Sequence, residues 1–472
     1  LDRDDMVRNT MMSFISLTVG CAQCHDHKFD PITQKDYYSL HAVFAALDRA
    51  EQQYYDDPQL TSLRHTLRAE GRKLQNREYK LKKKIESQKT EEKNETDQQQ
   101  FEEVSSRLNE IRAKLGELPD PKIAYIGTVH YGQGTFLGTG HQDGKPRTIH
   151  VLNRGDVTNP GEEVGPGTLG CIDELDPKFD IPGDAPEGER RAALARWLTD
   201  LRNPLPWRSI TNRIWQFHFG QGLVDTPNDF GRMGSKPSHP LLLDYLAASF
   251  RDNDQSIKSL HRQIVTSATY RQSSHVEADI AERANAIDAD NRYYWRMNRR
   301  RLEAEAIRDA VLQAAGKLDL KMGGPSFQDF IIDKPEHSPH YEYFRHDPED
   351  PKSHRRSIYR FLVRSQTQPF MTVMDCADPS MLVAKRTVSI SPLQALALLN
   401  NKLTAVMAKH FSARVEAKKD DAKDRVRLAF RLALSRTPSD RELSLLSQYA
   451  VRHGMANTCR VILNLNEFVF VD

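Results

Sequence analysis

Residues 20–36 read Gly20-Cys-Ala-Gln-Cys24-His-Asp-His-Lys-Phe-Asp-Pro-Ile-Thr33-Gln-Lys-Asp36. They set two thiols, Cys21 and Cys24, one helical turn apart, with His25 directly behind them. At that spacing both sulfurs can add to the vinyl groups of a single porphyrin while the adjacent imidazole turns to the iron. The motif therefore predicts one covalently attached haem c, with Cys21 and Cys24 as attachment points and His25 as axial iron ligand. Two rivals use the same residues. A zinc site would take Cys21, Cys24, His25 and His27, but structural zinc usually draws a second, distant pair, and the other cysteines are scattered. A redox dithiol wants a preceding strand and a βαβ context, which the surrounding pattern lacks. The sixth iron position stays open among Met233, Met371 and Met374 in turn-rich segments, His41, His130, His218 and His239, or a small molecule.

Outward from the motif, apolar spacing predicts a mainly α fold in four stretches. In 1–57, the amphipathic run Met6–Val19 reads as a helix ending at Gly20. Thr33 with Asp36 forms a capping box that starts a helix Gln34–Arg49. In 58–118, Phe101, Val104, Leu108, Ile111, Leu115 and Leu118 face a seam of Leu60, Leu63, Leu67, Leu74, Leu81 and Ile85 across a polar loop, residues 90–100. That pattern predicts an antiparallel coiled-coil hairpin, a spacer or interaction arm. Residues 119–183 are rich in Gly and Pro, with β-like runs Ile123–His130 and Thr148–Leu152 and turns at Asn159-Pro160-Gly161 and Gly165-Pro166-Gly167. They predict a small β element or extended crossover.

Residues 184–472 predict a large helical domain with a few short strands. Asn203-Pro204 stops its first helix, Ser238 caps one running to Arg251, and Gly316 closes the helix from Leu302. Phe327–Ile332 and Ser357–Val363 read as strands. The tail reads as helices Pro392–Phe411, Ala422–Leu434, Asp440–His453 and Ala456–Phe468.

The 472 residues suffice for about two to four domains. Lys and Arg number 67 against 65 Asp and Glu, a balance that gives no argument for nucleic acid. Arg299-Arg300-Arg301 and Arg355-Arg356 read as solvated faces. No run reaches the roughly 18 apolar residues of a membrane span. The chain opens on Leu1 in mid-pattern and reads as a fragment, so a missing signal peptide carries no message. Cys171, Cys376 and Cys459 read as buried small apolar residues rather than a disulfide framework. A second candidate stretch holds Asn212, Arg213, Trp215, His218, Asp229, Ser238 and His239 among four glycines, Gly220 to Gly234. His218, Asp229 and His239 are its candidate catalytic acid–base groups, although caps and tight turns explain the same residues. No nucleophile elbow, Walker loop, HExxH or dinucleotide fingerprint is present.

Gly20 to Ile32, followed by Asp36-Tyr-Tyr38, closely resembles the planctomycete cytochrome-c-associated domain, domain of unknown function 1549. Asn212-Arg-Ile-Trp215, Phe219-Gly-Gln-Gly222, Asp229-Phe-Gly231, Pro237-Ser-His-Pro240, Pro392-Leu-Gln-Ala395 and Asn464-Leu-Asn-Glu-Phe468 resemble its usual C-terminal companion, domain of unknown function 1553. The resemblance implies an exported protein, in the periplasm or at the cell surface of planctomycete-type bacteria, a group associated with growth on complex, often sulfated, polysaccharides. Only Cys21, Cys24 and His25 inherit a stated role. His27 and Asp30 match without one.

The expectation is electron transfer linked to the oxidation or use of such polysaccharides. Its partners would be a redox protein or quinone-side acceptor and a poly- or oligosaccharide. The alternatives are a haem-assisted carbohydrate oxidoreductase with the Asn212–His239 stretch in its pocket, or a non-catalytic surface scaffold with zinc at the motif. Whether the chain is an enzyme is left open.

Overall fold

A computed structural model of the chain describes residues 2–87, 95–128, 145–334 and 338–471. His130 lies outside the described residues, as do parts of the expected hairpin loop and of the run Ile123–His130. The protein is mainly α, with short antiparallel strand pairs between its helices. The chain divides into two compact units, Leu1–Arg8 with Val19–Asp200, and Asn9–Thr18 with Leu201–Asp472.

The first unit takes the opening turns of α1 (Asp2–Phe14), then α2 (Gln34–Val43), β1 (Asp48–Tyr54), α3 (Pro58–Ser87), α4 (Glu95–Glu117), β2 (Lys122–Thr128), β3 (Ile149–Leu152), β4 (Pro160–Val164) and α5 (Glu187–Leu198). α2 begins with the predicted capping box, in which Asp36 N–H donates to Thr33 Oγ1 and Thr33 N–H to the Asp36 carboxylate. It stops at Val43 rather than Arg49. Residues 48–54 instead pair antiparallel with β2, from Asp48↔Thr128 to Tyr54↔Lys122. The hairpin rises from that ribbon. Leu81, Val104 and Leu108 form its seam with Leu74 and Phe101 packed on them. Ion pairs Lys84–Asp97 (2.9 Å) and Arg107–Glu70 (3.0 Å) fix the antiparallel register. α4 already begins at Glu95, inside the expected loop, and Leu63 lies exposed rather than in the seam.

β4 forms where a turn was expected at Asn159-Pro160-Gly161. The turn falls just before it, with Asn159 N–H on Asp156 O at 3.1 Å. α5 belongs to this unit, its buried Arg190 donating to Ala42 O at 2.6 Å, and the main run of the second unit is Leu201–Asp472.

The second unit contains α6 (Pro204–Phe219), α7 (Pro240–Asp252), α8 (Ile257–Val265), α9 (Ala278–Ile287), β5 (Arg300–Arg301), α10 (Ala304–Ala315), β6 (Ile331–Asp333), β7 (His340–Glu342) and α11 (Pro369–Val373). It ends with α12 (Pro392–Asn400), α13 (Lys402–Glu416), α14 (Ala422–Leu434), α15 (Asp440–His453), α16 (Met455–Leu463), α17 (Asn466–Val469) and β8 (Phe470–Val471). One core gathers Trp207, Trp215, Phe219, Leu246 and Ile264, and a second Val311, Met407, Phe411, Phe430 and Ile462.

α14 and α15 have the predicted bounds, and Gly316 closes α10 in the left-handed region. The other differences have local causes. α1 ends at Phe14, not Val19, because Ser16 turns left-handed (φ 53°) and its buried hydroxyl donates to Pro227 O at 2.7 Å. α5 ends at Leu198, and Asn203 caps the start of α6 with Pro204 at its first position. Ser238 does not cap α7. His239 takes that place, and Ser238 bonds back to Leu223 O. Asn401 splits the expected Pro392–Phe411 helix by capping α13, and the last expected helix breaks into α16 and α17. Ser357–Tyr359 is a 3-10 turn rather than a strand. No helix among the described residues is long and apolar enough to cross a membrane.

Candidate functional site

The CxxCH segment is a 3-10 turn, Gly20–Gln23, closed by Ala22 N–H on Val19 O (3.1 Å) and Cys24 N–H on Cys21 O (3.3 Å). Ala22 is fully buried and anchors the turn, so both flanking cysteines stand exposed, with free thiols. The Gln23 carbonyl accepts from Tyr38 Oη (2.9 Å) and Gln34 Nε2 (3.1 Å), and Gln34 Nε2 also reaches Leu152 O (2.8 Å). Burial, with smaller contributions from Cys24 and Asp4, pushes the Tyr38 phenol up to about 12, so it remains a donor. Gly155 lies against Cys24. A Cβ there would meet Sγ at 3.0 Å, and its φ of +75° already favours glycine.

His25 is exposed, and its Nδ1 lies 2.7 Å from Asp26 O. As donor to that carbonyl, Nδ1–H leaves Nε2 with the free lone pair. The Asp26 carboxylate accepts from Gln34 N–H at 2.7 Å, stitching the loop to the start of α2. His27 has a different part. Its side chain is 6% exposed and Nδ1 accepts Asp30 N–H at 3.0 Å, which braces the loop from within. This is the role that sequence alone could not give His27 and Asp30. Two exposed thiols and a tautomerically fixed imidazole suit thioether and iron attachment. Among the described residues no three His, Cys, Asp or Glu side chains converge as a metal site.

Three of the candidate sixth ligands are taken up in hydrogen bonding or core packing. His41 is buried with Nε2 2.9 Å from Asp4. Met371 and Met374 are core residues, 1% exposed, and Met233 is largely exposed.

The second candidate stretch does not assemble an acid–base pair. His218 Nε2 meets His261 Nδ1 at 2.6 Å, and burial, His261 and Arg300 hold its pKa down. Asp229 accepts Gly231 N–H, and His239 bonds Ser238. Asn212 is a staple, exchanging two hydrogen bonds with the backbone of Val224 (2.8 and 2.9 Å). Trp215 Nε1 donates to Tyr294 at 2.8 Å in the core. Of Arg299-Arg300-Arg301, read as a solvated face, only Arg299 is exposed. Arg301 is paired with Asp375 at 2.7 Å, Arg300 donates to Phe217 O at 2.6 Å, and Arg299 lies over Phe470. Arg355 likewise stacks on Tyr359 at 4.0 Å. Cys459 is buried as expected, whereas Cys171 and Cys376 are half-buried.

Fold and turn together define a mainly α protein that presents a CxxCH turn beside a helical hairpin and continues into a larger helical unit. A family model described as PSD1, protein of unknown function (DUF1553), matches residues 190–450, more than half of the chain, and the chain belongs to that family. A second model, PSCyt2, protein of unknown function (DUF1549), matches residues 1–49, which hold the turn. No curated protein and no solved structure matches the chain.

Proposed function

We propose that Cys21, Cys24 and His25 hold one haem c, and that the protein is exported and passes electrons in the oxidation or use of complex polysaccharides. The observation that carries the haem reading is one turn bearing two exposed, unbridged thiols beside an exposed histidine whose Nδ1 is already engaged. When bound, haem supplies a one-electron couple whose potential follows its axial ligands and exposure. The chain's own residues orient it. Asp26 O fixes the ring and tautomer of His25, Tyr38 and Gln34 hold the Gln23 carbonyl, and Gly155 leaves room at Cys24. Export, and the link to polysaccharides through a redox protein or quinone-side acceptor, rest on the resemblance to the planctomycete domains.

The chain produced alongside a cytochrome c maturation system is expected, by intact mass under denaturing conditions, to carry one haem. The Cys21→Ser, Cys24→Ser double variant is expected at its unmodified mass. Wild-type chain at its unmodified mass would remove the reading.

A further inference from the structure

The second unit encloses a cavity of about 840 Å³, within the roughly 300–1,000 Å³ of sites that take small organic ligands. Its wall comes from the end of α6, residues 290–306, the loop 383–388 and Val471. Seven lining side chains are basic and three acidic. Behind the wall, Asp375 pairs with Arg301 (2.7 Å) and Glu305 with Arg386 (3.0 Å). Counting those two carboxylates with the three lining acids leaves two positive charges in excess.

The wall is a built structure. Asp375 accepts from Arg301, from Ser389 N–H and Oγ–H and from Gln394 Nε2, pinning the loop that carries Lys385 and Arg386. Lys385 is fastened to Asp225 at 2.8 Å. Arg292 stands exposed on this lining, and an exposed guanidinium offers an oxyanion both donors and charge. Burial holds the pKa of Arg213 and Arg300 down, whereas at Arg386 Glu305 and Glu303 outweigh burial and raise it. Val383, Val388 and Ala306 give the body of a ligand apolar surface.

We propose that this cavity binds a small organic dianion, its charges on carboxylate, sulfate-ester or phosphate-ester groups, with Arg292 donating directly and the other basic lining residues adding field. The site is independent of haem attachment in the first unit.

Isothermal titration of the full chain separates the sources, using digalacturonate, a disaccharide with two sulfate esters, glucose 6-phosphate, and uncharged maltose. At least one dianion is expected to bind and maltose not. Arg292→Gln and Arg386→Gln should each weaken binding by about tenfold or more. Arg283→Gln, in an exposed pair on α9, should leave it unchanged. If Arg386→Gln fails to fold because Glu305 is left unpaired, Arg292→Gln carries the test. Failure of all three dianions to bind, equal binding of maltose, or an equal loss in Arg283→Gln overturns the proposal.

Discussion

Cys21 and Cys24 stand outward because Ala22 between them is buried, and a single residue can disturb that arrangement. Gly155→Ala brings a Cβ to 3.0 Å from Cys24 Sγ at a φ of +75°. A side chain in that region costs about 1–2 kcal/mol. The variant should lose that much stability in urea denaturation and carry less haem per chain. His41 behaves differently. Burial outweighs the neighbouring Asp4 and holds its pKa below the usual 6.5, so at neutral pH the 2.9 Å contact is a neutral Nε2–H on a carboxylate. The unfolded chain then takes up the proton first. Stability present above pH 6.5 is lost as pH falls through the depressed value, and the lowered Asp4 pKa extends the loss further into acid. Denaturation midpoints should fall between pH 7.5 and 5 in wild type and less so in His41→Gln; equal slopes would contradict this. At this scale the sequence carried the motif, because the chemistry itself dictates the spacing. The supports at Leu152 and Gly155 return from distant parts of the chain and leave no local mark.

Two helices with side-chain caps were legible to the residue: Ser439 and Asp421 sit where α15 and α14 begin, whereas the Asn401 cap of α13 went unread. Elements decided by distant pairing were not. The helix expected to run to Arg49 stops early because from Asp48 the backbone is taken by β2, about 70 residues further on. Ser238 satisfied the rule for a cap, but Leu223 O claimed it first. The same ribbon makes the hairpin separable, since Tyr54 and Lys122 face each other at its base. Replacing residues 55–121 by an Asn-Gly turn should leave covalent haem attachment and dianion binding unchanged. Loss of either would show that the hairpin does more than extend from the ribbon.

The whole chain joins a small unit with a legible chemical motif to a larger one whose chemistry was hidden. The cationic cavity draws on four segments spread over more than 250 residues, and its arginine triplet reads locally as surface. The binary pattern located the helices; only folding brings the charges together. The CxxCH turn lies in the first unit and says nothing of the second, most of which the PSD1 family match covers. The account therefore rests first on covalent haem. Its most direct test is the haem-to-chain ratio of matured protein, from the pyridine haemochrome spectrum after acid–acetone extraction. About one haem should stay with each chain, with none on the Cys21→Ser, Cys24→Ser variant. Haem that extracts completely from the wild-type chain would contradict it.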